Sequence, residues 1–339
     1  MQPEHPLGLE AQNLLTEENC SAPTPTAYQV DRELAAQINP RDSLFVCGFW
    51  RSGTTWLQQA LETLLQAKLV YEPLYCLVPE MQAVYAENGL ANRKKDYLRL
   101  YMPFCAEPTV TGRPLHDFFD RALRSDLSGT WIRAYRGEME NNFRARVILK
   151  CVRAQLCLRA VQNTFGMPAL HIYRDPRAVV ASVKMTSWNW MFEPLNLRRQ
   201  LLKPFDGRAD FFNAWRDEIK AYDEQDVTTR IAAYWALTEK YVQHSYADGP
   251  GRFVAVSYEE LCRCRERLLL EILQQFEVRP AGANDSLSLA SDSSTTSEQR
   301  RGASVDDRIA GWKKVLAKSE IATIEAIAQH FGFEDRLAS

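Results

Sequence analysis

LFVCGFWRSGTTWLQQALETLLQA, residues 44–67, decides the fold of this 339-residue chain. Four apolar residues, Leu44 to Cys47, run into Gly48, and apolar residues then recur at 56, 57, 60, 61, 64 and 65. The first pattern is a buried strand and the second a helix with one apolar face, joined by a glycine turn. Such a junction aims several backbone N–H groups and the positive end of a helix dipole at one point, which suits an anion. Gly48 and Gly53 meet the spacing of the triphosphate pattern G-x-x-x-x-G-K-[ST], but Thr54 stands where the lysine belongs. That lysine grips the β and γ phosphates, so its absence counts against ATP chemistry. Arg51, the only cation in the loop, instead offers a planar fork for two oxygens of one anionic group.

Further short apolar runs follow at LVY (69–71), VIL (147–149), ALHIY (169–173) and FVAV (253–256), with helix-patterned segments between most of them. The alternation predicts an α/β fold: a P-loop-type, three-layer domain with a central, mostly five-stranded parallel sheet and helices on both faces. HIYRDPRAVVASV, 171–183, repeats the strand-to-helix junction, with Asp175 as N-cap and Pro176 at the first helical position. Arg174 thereby falls at a strand end beside a helix start, a second anion-binding arrangement. Asp175 also admits a reading as the Mg²⁺-holding aspartate of an NTPase, although capping already accounts for it.

Residues 1–41, with Pro3, Pro6, Pro23 and Pro25, are expected to form a loose arm, and 42–339 a single domain. Two segments break the α/β alternation. Residues 185–225, rich in aromatics and arginines, predict a helical insertion over one edge of the sheet, either an acceptor pocket or plain core. The polar, Ser-rich stretch 281–299 predicts a flexible loop. A closing helical segment then ends with Phe331 and Phe333 docking.

A net charge of −2 excludes a generally basic nucleic-acid binder. No apolar run is long enough for a membrane span, and the first twenty residues lack an apolar signal core, so a cytoplasmic address is expected. Eight cysteines without C-x-x-C spacing predict reduced thiols, and five scattered histidines give no metal signal.

With WRSGTTW (50–56) and YRDPRAVVASV (173–183) both on strand-to-helix junctions, the chain resembles the sulfotransferases that use 3′-phosphoadenosine 5′-phosphosulfate. VYEPLY (70–75), LKCVR (149–153) and RDPRA (174–178) look most like the carbohydrate branch of that family. SYEELC (257–262) and GWKKVL (311–316) resemble elements shared across it. The resemblance implies that Arg51, Ser52, Gly53, Thr54, Thr55 and Trp56 hold the 5′-phosphosulfate. It assigns the 3′-phosphate to Arg174 and Ser182, eight residues apart, closed over by Arg300, Arg301 and Gly302. It implies nucleotide binding without a metal, and a small-molecule or glycan acceptor, with neither nucleic acid nor membrane as partner.

The histidine base of the cytosolic branch is missing, since Val152 occupies its position two residues after Lys150. Glu72, at the end of the second strand, is the expected base, with Arg51 and Lys150 beside the reacting group and Arg153 adding charge. A structural ion pair is the other reading of Glu72. His116 is the reserve base, and His171, midway along a strand, reads as core. The competing functions are a P-loop kinase or NTPase, which needs the missing lysine, and a non-catalytic nucleotide-binding protein.

Overall fold

Five strands, β1 (Leu44–Cys47), β2 (Lys68–Tyr71), β3 (Val147–Cys151), β4 (Ala169–Tyr173) and β5 (Phe253–Ser257), form one parallel sheet in the order β2-β3-β1-β4-β5. The computed structural model describes residues 37–106, 109–110, 113–124, 126–127, 146–186, 189–203, 205–249, 251–281 and 302–337. Most of the expected arm, nearly all of the Ser-rich stretch, Arg300 and Arg301 lie outside the described residues. Among the described residues no helix is long and apolar enough to cross a membrane.

The strands read as unbroken apolar runs because helices cover both faces. Leu44 and Val46 point to one face, where α1 (Thr54–Leu65) packs, and Phe45 and Cys47 point to the other. On that second face lie α2 (Arg113–Leu123) and α3 (Leu158–Phe165), the latter carrying the chain from β3 past β1 to β4. Then follow α4 (Pro176–Met185), α5 (Val227–Ser245), and α6 (Tyr258–Gln275), which shares the α1 face. The closing segment is α7 (Val305–Ala310) and α8 (Lys318–His330), after which Phe331 and Phe333 are buried as expected. Because the chain leaves β1 on one face and reaches β4 on the other, a crevice opens at the C-terminal ends of β3, β1 and β4. Register sets Cys47 opposite both Cys151, the end of β3, and His171, so β4 runs on to Tyr173 beyond the other two.

The 185–225 insertion is a string of short turns of helix, including Asn189–Phe192, Arg208–Phe212 and Arg216–Asp223. Phe192, Leu195, Leu197, Leu201 and Phe212 join a core with α4, α5 and α8 and with Phe49 and Trp50, beyond the end of β1. Its anchor is Arg208, fully buried, which pairs with Asp206 at 2.6 Å and donates to the carbonyls of Met102 (2.5 Å) and Gln200 (2.9 Å). Of the insertion's aromatics, Phe192 and Phe212 are buried in this core, and Trp190, Phe211, Trp215 and Tyr222 pack against it half-buried.

A second buried charge ties the C-terminus down. Glu239 of α5 accepts from His171 of β4 at 2.9 Å and from Gln155 at 2.8 Å, and pairs with Arg336. His171 is fully buried in this network, as expected of a core histidine. Burial alone raises the Glu239 pKa, but His171 and Arg336 outweigh it and hold the carboxyl at about 2. A folded value below the unfolded one, 4.5, means the stabilisation is complete above about pH 4.5 and lost as the pH falls toward 2. Glu239→Gln is expected to melt lower at neutral pH and to lose less of its remaining stability between those limits, measured by thermal unfolding against pH.

Candidate functional site

The loop from Gly48 to Gly53 is shaped by what surrounds it. A Cβ on Gly48 would lie 2.2 Å from the Ile172 carbonyl, so only glycine lets β1 turn this close to β4. Gly53 has φ +92° and a Cβ there would meet the Tyr258 ring at 2.4 Å. Gly53 also caps α1 without a side-chain oxygen, leaving the helix start its electropositive character. Thr54, Thr55 and Trp56 are the first three residues of that helix, the first buried and the others half-buried.

Arg51, the expected fork, is the meeting point of both junctions. Its backbone sits at φ +68°, a left-handed conformation rare outside glycine, and its carbonyl accepts from Arg174 Nη1 at 2.9 Å. Its Nε donates to Ser182 Oγ at 3.0 Å. Residues expected at opposite ends of one ligand are thus in direct contact. Arg174 is nearly buried, donates through Nη2 to the Arg308 carbonyl of α7 at 3.0 Å, and lies 4.2 Å over the Tyr258 ring. Ser52 Oγ and Arg174 Nε are buried with no hydrogen-bond partner among the described residues. Unmatched buried donors beside a helix start are what a phosphate-sized anion would satisfy, so the residues fit a phosphate-bearing ligand. Gly302, the described member of the Arg-Arg-Gly segment, has φ +71°.

The second helix start differs from the first. Asp175 accepts from Arg177 N at 2.8 Å and pairs with the Arg177 side chain at 2.7 Å, so its carboxylate already occupies the N-terminus of α4. An anion at this junction would gain little from the helix dipole. Arg177 continues to Glu325 of α8 (2.5 Å) and lies 4.0 Å from the Trp312 ring, while Glu259 accepts from Asp175 N at 3.2 Å. These partners fix the junction and were not predicted; for Glu259 the cue was Ser257, which caps α6 ahead of the glutamate.

Across the loop, at the ends of β2 and β3, stands Glu72. It is 3% exposed, at φ +47°, and accepts from Lys150 Nζ at 2.6 Å, Arg153 Nη1 at 2.9 Å and Val152 N at 3.2 Å. Burial lowers the pKa of both cations, but Glu72 more than offsets it and raises them, so each stays charged. Arg153 also lies 5.4 Å from the Trp50 ring, which links this cluster to the first loop. His116 is placed elsewhere: it stands 5.3 Å from the ring of Phe165, at the end of α3 that leads into the start of β4. That is the opposite end of the sheet from Arg51.

The sequence profile of the sulfotransferase family matches residues 43–280, and the chain belongs to that family. No curated protein sequence matches it significantly. Among solved structures it is similar to a sulfotransferase domain from the curacin biosynthetic pathway (15% identity, 86% of this chain and 98% of that one, TM-score 0.40). It is also similar to a sulfotransferase from Mycobacterium tuberculosis (14% identity, 89% and 79%, TM-score 0.42). A third is retinol dehydratase in complex with retinol and PAP (14% identity, 87% and 82%, TM-score 0.34). The assignment rests on the family match.

Gly48→Ala tests the tight turn. Forcing a methyl group against a backbone carbonyl is expected to lower stability by roughly 1–3 kcal/mol in urea unfolding, as overpacking does. An unchanged midpoint would show that β1 and β4 are not held this close.

Proposed function

We propose that this member of the sulfotransferase family moves a sulfuryl group from 3′-phosphoadenosine 5′-phosphosulfate to a hydroxyl or amine of a small-molecule or glycan acceptor. The observation that supports this most is the junction at Arg51, where one residue bonds to both Ser182 and Arg174. Two anion-binding elements a single arginine apart suit a ligand with two separate phosphate groups. Arg51, Ser52, Gly53, Thr54 and Thr55, with Trp56 next to them, hold the phosphosulfate end. Arg174 and Ser182 hold the 3′-phosphate, and we assign Arg300, Arg301 and Gly302 to the same group.

Bound there, the donor supplies an activated sulfuryl group on a phosphate leaving group. Arg51 and the start of α1 offset the negative charge that gathers on that phosphate, the kind of preset electrostatic help that is usually the largest part of catalysis. Lys150, buried and charged, adds to it from β3. Glu72 takes the acceptor's proton. Both of its oxygens already accept hydrogen bonds, so the acceptor must displace one of these donors as it enters. We assign 42–339 to one domain, and the lack of paired cysteine spacing supports a reducing compartment, the cytoplasm.

Thermal unfolding tests the donor. 3′,5′-ADP at 100 times its Kd is expected to add about 2.7 kcal/mol of stability, and ATP with Mg²⁺ nothing comparable. The reverse pattern would make the protein an NTPase. For the chemistry, Glu72→Gln is expected to keep the 3′,5′-ADP shift and lose transfer of labelled sulfate by ~10²–10⁴-fold. Full activity in this variant would remove Glu72 as the base. If Glu72 serves only to hold its two cations, the variant's main loss is stability, since an unpaired buried charge costs about 3–5 kcal/mol.

A further inference from the structure

We infer that the acceptor carries an oxyanionic group, a carboxylate, sulfate or phosphate, which Arg99 reads on the wall beside Glu72. The inference rests on the sulfuryl-transfer reading above and specifies the acceptor of that same site.

The stretch NRKKDYLRL, 92–100, sets Arg93, Lys94, Lys95 and Arg99 against one carboxylate, Asp96, in a chain whose net charge is −2. The fold brings this basic stretch to the site. The Arg99 carbonyl accepts from Arg153 Nε at 2.8 Å, and Arg153 holds Glu72 at 2.9 Å. The Arg99 guanidinium is close enough to the Tyr75 hydroxyl to oppose the rise that burial gives its pKa, and the Tyr75 ring lies 4.7 Å from the Arg153 guanidinium. The Arg99 backbone and the expected base are therefore joined by one arginine side chain, which places Arg99 on the same wall as Glu72.

Arg99 differs from the other two cations of this wall in what it can still bind. Lys150 and Arg153 have side chains 4% and 5% exposed, and both are paired with Glu72. The Arg99 side chain is 18% exposed, and its guanidinium lies 4.7 Å over the ring of Trp190, from the insertion. Stacking of this kind fixes the plane of the fork, which suits bidentate capture of two oxygens. Its carboxylate partner, Asp96, lies at 2.7 Å but is 57% exposed and three residues away. Solvent screens a pair whose carboxylate is this exposed, so an acceptor oxyanion replaces Asp96 at little cost. Arg93, Lys94 and Lys95 are exposed on the same stretch and carry the positive field outward, which steers an anion inward.

The test compares matched acceptors, using labelled sulfate donor for transfer and calorimetry with 3′,5′-ADP present for binding. The pairs are p-nitrophenyl glucuronide against the glucoside, and N-acetylglucosamine 6-sulfate and 6-phosphate against N-acetylglucosamine. Wild type is expected to favour the anionic member by about tenfold or more, the worth of one charge-assisted hydrogen bond. The arm with the largest ratio tells carboxylate, sulfate and phosphate apart. In Arg99→Gln the ratio is expected to fall to about one, and Arg99→Lys to recover only part of it, because a lysine lacks the stacked fork. A wild-type ratio of one or less, an undiminished ratio in Arg99→Gln, or no binding of any anionic member overturns the inference. The melting shift with 3′,5′-ADP separates the two levels. If wild type shows it without an anion preference, only the role of Arg99 falls; if the shift is absent, the donor reading falls first.

Discussion

The two hydrogen bonds at Arg51, from its side chain to Ser182 and to its carbonyl from Arg174, join strand-end loops more than a hundred residues apart in the chain. They explain why Arg51 keeps a left-handed backbone, which costs a non-glycine residue on the order of 1–3 kcal/mol and persists only when its surroundings impose it. They also explain the packing below. Gly48 must let the turn sit against the Ile172 carbonyl, and Gly53 must leave room for Tyr258, or the Arg51 carbonyl would not reach Arg174. The glycines thus serve contacts between strands and helices as much as any approach of a phosphate.

The second balance lies between Glu72 and its two cations. Three charges are buried together at the ends of β2 and β3, and each is tolerable only because the others are there. Glu72, like Arg51, holds a positive φ, so both crevice walls carry local strain at the residue assigned to chemistry. Under the proposed role of Glu72 as base, this pairing would confine proton removal to the loaded site, because an acceptor would first have to displace one of its donors.

Much of this was legible in the sequence because it depends on short-range pattern. The five apolar runs became the five strands, since burial on both faces makes a parallel strand a continuous hydrophobic stretch. Asp175 and Pro176 announced the start of α4, and the Asp175 cap is there. Yet the cap also cancels the dipole that made this junction look like a second helix-start site, a consequence visible only once Arg177 is seen folded back on it. Long-range pairs leave no period to read. Glu259 reaches Asp175 across 84 residues, and Glu325 reaches Arg177 across 148. The partners of the insertion were hidden for a related reason: aromatic and arginine content marks a segment that packs without saying on what, and Arg208 chose the carbonyl of Met102. His116 shows the same limit, since its neighbours in sequence gave no sign of which end of the sheet it faces.

The central claim is that the junction at Arg51 is one site for two phosphates. Calorimetric titration of 3′,5′-ADP and 5′-AMP, into wild type and into Ser182→Ala, tests it most directly. Wild type should favour the bisphosphate by about tenfold or more, as one charge-assisted hydrogen bond requires, and Ser182→Ala should lose most of that margin. Equal affinity for the two nucleotides in wild type, or a margin untouched by the loss of Ser182, would contradict the account.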